Sequence, residues 1–219
     1  MTLLTKICGL SPPDAVSAAR DAGATHLGFI FFAKSPRHVS VEQARDLSHA
    51  RGTARSVAVT VDASDADLET IVLTMGPDWL QLHGSETPDR VGQLRARYGL
   101  PVMKALSVRE AADLKRLAGY DASADMLLLD AKPPKGADLP GGNGVTFDWS
   151  LLDDLEATTP VLLSGGITLE NIADALQRIA SIGPLAGLDI SSGVESSPGV
   201  KDVGKITALL NTCRQGSPA

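Results

Sequence analysis

Two short stretches in the last third of the chain hold residue types that bind phosphate. The apolar run Leu185 to Ile190 stops in Ser191-Ser192-Gly193, and Val161-Leu162-Leu163 stops in Ser164-Gly165-Gly166. Hydroxyls and glycine N–H groups at a strand end donate to phosphate oxygens, and a missing Cβ lets a ligand approach the backbone. Either stretch alone also has the composition of an ordinary tight turn. Other polar residues closing apolar runs could move protons. Cys8 ends the segment that starts at Leu3. A thiol with an ordinary pKa of about 8.5 needs only a modest downward shift to act as a base, although a lone cysteine is more often a small core residue than a base. Asp130 closes Met126 to Leu129, the most apolar of these runs, and either accepts neighbouring N–H groups or faces a pocket as a proton donor. His83 follows Trp79 to Leu82 and suits a ligand contact or a satisfied structural role. Arg37, in Ser35-Pro36-Arg37, has the rigid fork that fits a carboxylate or phosphate. One base, one acid and an anion site suit proton shuttling on a sugar phosphate.

These residues need elements that bring them to one place. Strands are expected from Leu3, Thr25, Ser56, Trp79, Val102, Met126, Val161 and Leu185, each followed by a helical pattern. The expected helices include one opened by Ser11 and Pro12, and others over Val41–Ala50, Ala66–Met75, Pro88–Tyr98, Arg109–Leu117, Trp149–Leu155, Leu169–Ile179 and Val203–Cys213. The strands are nearly continuous apolar runs, as in a parallel sheet covered by helices. Eight such units favour a closed (β/α)8 TIM barrel of α/β class over an open doubly wound sheet, and the missing Gly-x-Gly-x-x-Gly weakens a dinucleotide reading. The barrel is expected over residues 1–213 with a C-terminal tail at 214–219, and 131–147 reads as a long loop rich in proline and glycine. In such a barrel every strand end faces one mouth, which gathers Cys8, Arg37, His83, Asp130, the Ser164–Gly166 loop and Asp189 to Gly193.

A length of 219 residues fits a single barrel, and a net charge of −6 argues against nucleic acid as main partner. A small anionic ligand is still compatible, because a site can be locally positive. Cys8 and Cys213 stand near opposite ends without CxxC spacing, which suits a reducing compartment. His26, His38, His49 and His83 form no HxH or HExxH pattern, so no metal site is expected. With no apolar run long enough to span a bilayer, the expectation is a cytoplasmic protein with no membrane partner.

Several blocks then recur in a specific order. They are Lys6-Ile7-Cys8-Gly9, Gly28-Phe29-Ile30-Phe31 with Ser35-Pro36-Arg37, Gln81-Leu82-His83-Gly84 with Glu86, and Leu128-Leu129-Asp130. Gly144 to Trp149, Ser164-Gly165-Gly166-Ile167 with Glu170-Asn171, and Asp189 to Glu195 with Pro198 to Asp202 complete the set. Together they resemble the phosphoribosylanthranilate isomerases of tryptophan biosynthesis, over nearly the whole chain. The resemblance implies a single-domain barrel that converts N-(5-phosphoribosyl)anthranilate to 1-(2-carboxyphenylamino)-1-deoxyribulose 5-phosphate without a cofactor. It implies Cys8 as general base and Asp130 as general acid, with Arg37 on the anthranilate carboxylate and His83 and Asp189 toward the substrate. Gly165, Gly166, Ser191, Ser192 and Gly193 would hold the phosphate, in a monomer or homodimer. Thr60 and Val145 depart from the family pattern, which touches pocket shape and the long loop.

Other readings compete. An indole-glycerol-phosphate synthase calls for a strand-end lysine and an N-terminal extension, whereas Lys104 lies within a strand and the first strand begins at once. A pentose-phosphate epimerase calls for paired metal-binding histidines. A sugar-phosphate sensor without chemistry would have lost Cys8 or Asp130. A relative that also accepts the histidine-pathway aminoaldose needs a second anion loop as clear as the pair described.

Overall fold

The fold is built on runs apolar on both faces, which persist only where a helix covers the outside and side chains fill the inside. The computed structural model describes residues 3–131, 141 and 146–216. Its strands β1 (Leu4–Cys8), β2 (His26–Phe31), β3 (Arg55–Thr60), β4 (Trp79–Leu82), β5 (Val102–Val108), β6 (Met126–Ala131), β7 (Val161–Leu163) and β8 (Leu185–Ile190) form one closed parallel barrel in chain order. Met103, Ala105, Met126, Leu128 and Leu162 pack in one interior cluster, and Cys8, Val57 and Val59 in another. The alternate residues, such as Ile7, Leu27, Leu80, Leu127 and Leu163, belong to the larger core beneath the helices.

Around the barrel run α1 (Pro13–Asp21), α2 (Val41–Ser48), α3 (Asp65–Met75), α4 (Pro88–Tyr98), α5 (Ala111–Leu114), α6 (Ile172–Ser181) and α7 (Val203–Gly216). Ser40, Ser64 and Thr87 cap α2, α3 and α4 by accepting a backbone N–H from the third helical residue. The first helix differs from expectation. Its N-cap is Pro12, without a side-chain cap bond, and Asp14 instead accepts the Ala15 N–H. The expected helix over Arg109–Leu117 shrinks to α5 and a 3-10 turn at Leu117–Gly119, and Trp149–Asp154 is 3-10 rather than α-helical. The last helix continues to Gly216, past the expected end at Cys213.

A small antiparallel pair, β9 (Glu195–Ser197) and β10 (Val200–Lys201), was not expected from the sequence. It lies between β8 and α7, and Gly199 turns it at a φ of 85°. Lys132 and Gly142 to Val145, in the long loop expected over 131–147, lie outside the described residues, as do 217–219. Among the described residues no helix is long and apolar enough to cross a membrane.

Closing the barrel brings polar residues from distant parts of the chain side by side. The β1–β8 pairing sets Lys6 opposite Asp189, and the β1–β2 pairing sets Lys6 opposite His26. A one-residue slip would turn all three to the outer face.

Candidate active site

The strand ends open on a cavity lined by Cys8, Arg37, His83, Asp130, Asp189, the Ser164–Ile167 loop and Ser191 to Gly193. Every catalytic and binding residue expected from the sequence therefore reaches one cavity. On β3 and just past its end the wall is Val59 and Val61. Thr60 between them is fully buried and its Oγ1 donates to the Gln81 carbonyl, so that departure from the family pattern does not line the pocket.

Cys8 is buried, with 5% of its surface exposed. Below it on the same face of β1 is Lys6, fully buried, whose Nζ donates to Asp189 Oδ1 at 2.7 Å. Ser164 Oγ donates to the other Asp189 oxygen at 3.3 Å. Burial pushes the Cys8 thiol up, Lys6 pulls it back, and Asp189 adds to the rise, so the thiol is held above its ordinary range. The modest downward shift that would make a ready thiolate is thus not supplied by the protein alone, because burial outweighs the pull of the nearby cations. Burial alone would push Lys6 down, but Asp189 and then Cys8 outweigh it and hold the ammonium above its usual range.

A second charged group stands beside the thiol. Arg37 Nε and Nη2 donate to the two oxygens of Glu195 at 2.6 and 2.8 Å, and Lys201 Nζ reaches Glu195 Oε1 at 2.8 Å. Burial would raise the Glu195 carboxyl, but Arg37 and Lys201 outweigh it and hold it at about 2. Both cations thus share one carboxylate, and of the three groups Arg37 lines the cavity. Lys201 also donates to the Ser191 carbonyl at 2.8 Å, which ties the β9–β10 pair to the end of β8.

Asp130 both accepts a neighbouring N–H group and faces the cavity. Its Oδ1 accepts the Ala131 N–H at 2.9 Å, while Oδ2 lies 3.3 Å from His83 Nε2. That approach is angled away from a hydrogen bond, and His83 Nε2 has no hydrogen-bond partner among the described residues. The His83 ring is held from its other side by Gln81 Nε2 at 3.1 Å from Nδ1. A Cβ at Gly141 would collide with both Asp130 Oδ2 and His83.

The two glycine- and serine-rich loops pack against each other. A Cβ at Gly193 would fall on the Ile167 carbonyl oxygen, and one at Gly165 would stand 2.7 Å from the Ala131 nitrogen. Gly165 and Gly166 have φ of 86° and 63°, a left-handed turn that side chains resist. Ser191 Oγ donates to the Cys8 carbonyl at 3.1 Å, fixing one loop to the end of β1.

Lys6, Gln81, Glu195 and Lys201 were not singled out by sequence reasoning. For Lys6 a signal was present, since a lysine two residues before Cys8 on one strand must share its inward face. Lys104 takes no part in the site. It is buried on the outer face of β5, where its Nζ donates to Glu86 Oε2 at 2.7 Å.

A model of the family described as N-(5'-phosphoribosyl)anthranilate (PRA) isomerase matches residues 5–212. The chain is 58% identical over 204 residues to an N-(5'-phosphoribosyl)anthranilate isomerase of Brucella canis, covering 93% of this chain and 90% of that one. Among solved structures it is similar to phosphoribosyl anthranilate isomerase from Thermus thermophilus, with a TM-score of 0.83 and 30% identity over 97% of this chain and 99% of the other. Another similar structure is a phosphoribosyl anthranilate isomerase in complex with reduced 1-(o-carboxyphenylamino)-1-deoxyribulose 5-phosphate. It has a TM-score of 0.80 and 27% identity, over 98% of this chain and 100% of that one.

Proposed function

Because the chain belongs to the N-(5'-phosphoribosyl)anthranilate isomerase family, we propose that Cys8 and Asp130 divide its aldose-to-ketose rearrangement between a base and an acid. The observation that carries this assignment is that a thiol and a carboxyl, from β1 and β6, face one cavity that also holds the two small-residue loops. Asp130 donates its proton to the furanose ring oxygen as the C1'–O bond breaks, and the anilino nitrogen lone pair forms the C=N bond of an iminium. Cys8 thiolate removes the C2' proton, and that electron pair flows toward the iminium nitrogen to give an enolamine. Tautomerisation returns a proton to C1' and leaves the ketone at C2'. No atom is gained or lost, and the iminium is the electron sink.

The raised thiol fits this order of events. A positive iminium forming beside Cys8 favours the thiolate at the step that needs it. The loops at Ser164–Gly166 and Ser191–Gly193 hold the phosphate, with small residues giving close access to the backbone. Arg37, at the cavity wall, attracts the anthranilate carboxylate by its charge while its Nε and Nη2 hold Glu195. His83 lies against Asp130 and limits where the sugar ring can sit. We read the protein as cytoplasmic, monomeric or homodimeric, with residues 1–213 forming the barrel, and acting on a small phosphorylated molecule of tryptophan biosynthesis.

The test is loss of anthranilate-type fluorescence from freshly generated phosphoribosylanthranilate, compared among wild type, Cys8→Ser and Asp130→Asn. Both variants are expected to lose about 10² to 10⁴-fold in kcat with KM little changed. A folded Cys8→Ser or Asp130→Asn protein with wild-type kcat would remove that residue from the assignment.

A further inference from the structure

We infer that Lys6 is the positioning residue that sets the ionisation of the Cys8 thiol, with Asp189 serving as its buried counter-ion rather than as a substrate contact. Lys6, Cys8 and Gly28 meet at one point inside the barrel. A Cβ on Gly28 would lie 3.1 Å from both the Cys8 sulfur and the Lys6 Nζ. The ammonium and the thiol are thus brought together in a space that exists because residue 28 has no side chain. Lys6 is fully buried, so no water screens its charge from the sulfur. A lone ammonium at such depth would lose its proton, and the 2.7 Å bond to Asp189 prevents this. Both Asp189 oxygens are engaged, by Lys6 and by Ser164, so the carboxylate faces its own partners.

The other charges around the thiol come from separate elements. Arg37 approaches from the loop after β2 and Lys201 from β10, and these two share Glu195. His26, on β2, stands beside Lys6 and is neutral near neutral pH, with its pKa pushed down to about 4. Asp130 and His83 face the cavity from β6 and the end of β4. Among the cations Lys6 alone shares a strand face with Cys8 and pulls on the thiol most strongly, while Lys201 acts more weakly.

The consequence is a thiol balanced between opposing influences. Burial keeps it protonated before substrate binds, and Lys6 keeps the thiolate within reach once a positive iminium forms nearby. The inference rests on the reading of Cys8 as base only for its effect on catalysis. Its effect on the thiol is independent of that reading.

The test therefore measures the thiol directly. In a Cys213→Ala background, the rate of iodoacetamide alkylation is followed against pH without substrate. Cys213 is buried on α7 away from the cavity, with its own thiol pushed up to about 11, so the background isolates Cys8. Lys6→Met is expected to move the alkylation midpoint upward by about one to three pH units, the range for loss of a close opposite charge. Lys6→Met leaves Asp189 unpaired, so Lys6→Gln/Asp189→Asn is measured too. That double variant keeps the shapes, buries no net charge, and should also move the midpoint upward. An unchanged midpoint in either folded variant overturns the inference. An upward shift with kcat at neutral pH reduced about tenfold or more supports both the inference and the role of Cys8. An upward shift with unchanged kcat supports the inference and overturns Cys8 as the base.

Discussion

Lys6 and Lys104 are two buried lysines on the same barrel, each paired with a carboxylate at 2.7 Å, and only one of them reaches the site. Lys104 lies on the outer face of β5. Its ammonium has three donors, and they meet Leu82 O at 3.3 Å, Gly84 O at 2.7 Å and Glu86 Oε2 at 2.7 Å. Glu86 in turn accepts the Asp62 and Gly84 N–H groups, each at 3.0 Å, so the cluster clamps the loops after β3 and β4. Every member is matched within the cluster. Lys6 lies on the inner face, with one carboxylate and one thiol as neighbours, and the thiol lines the cavity. The two ammoniums respond in opposite directions. Burial pushes Lys104 down more than Glu86 restores it, whereas Asp189 and Cys8 together hold Lys6 up. A buried ion pair alone therefore says little about function. What separates the two is whether a neighbour that can change its charge lies within reach.

The comparison breaks most visibly in double variants. Cys8→Ser should cost about 10² to 10⁴-fold in kcat, or roughly 3 to 5 kcal/mol of transition-state stabilisation. If Lys6 acts through the thiol, adding Lys6→Met to Cys8→Ser should cost little more, because the group it serves is already gone. Lys104→Met added to Cys8→Ser should instead multiply two independent effects. Steady-state kcat for the single and double variants decides it. Additive losses for Lys6→Met and Cys8→Ser would put the two lysines in the same class.

The sequence made one half of this contrast legible. Cys8, Asp130 and both small-residue loops could be placed at the mouth because each ends an apolar run, and a parallel barrel sends all such ends to one side. The Lys6–Asp189 pair depends on how β1 meets β8 across a separation of 183 residues, which no local pattern encodes. The contact between Glu195 and Lys201 was illegible for a related reason. The pair of strands that folds them back is two or three residues long, too short for periodicity to register. The short α5 failed differently, since Arg109 to Leu117 has helical composition but breaks into two tight turns. Lys104 could have been weighed better. Alternation puts it on the opposite face from Met103 and Ala105, away from the barrel interior.

A second, smaller effect sharpens the contrast from the structural side. Lys104→Met strands Glu86 and removes the donor from two carbonyls, and breaking one partner of a buried pair costs about 3 to 5 kcal/mol. The urea midpoint should fall accordingly, while kcat of the folded protein stays within a few-fold of wild type. Lys104→Met/Glu86→Gln should recover part of the loss, because no uncompensated charge is left buried. A folded Lys104→Met enzyme with kcat reduced as far as Lys6→Met would mean that the outer cluster also acts on the chemistry.

The smallest effect reads the charge on Lys6 without using catalysis. His26 is buried beside Lys6, and its pKa is pushed from 6.5 to about 4 by burial first and by Lys6 second. Between those values the unfolded chain binds a proton at this histidine and the folded protein does not. Stability should therefore be full above the unfolded value and decline as pH falls from 6.5 toward 4. At about 1.36 kcal/mol per unit the decline is at most about 3 kcal/mol. Urea midpoints across that window should slope in wild type, and the slope attributable to this residue should vanish in His26→Gln. In Lys6→Gln the second cause is gone, so the folded histidine should titrate closer to its ordinary value and the slope should become shallower. Lys104→Met should leave the slope unchanged, because its charge lies on the far side of the barrel wall. Equal slopes in wild type and a folded Lys6→Gln would mean that residue 6 carries no charge in the native protein. The distinction between the two lysines would then rest on position alone.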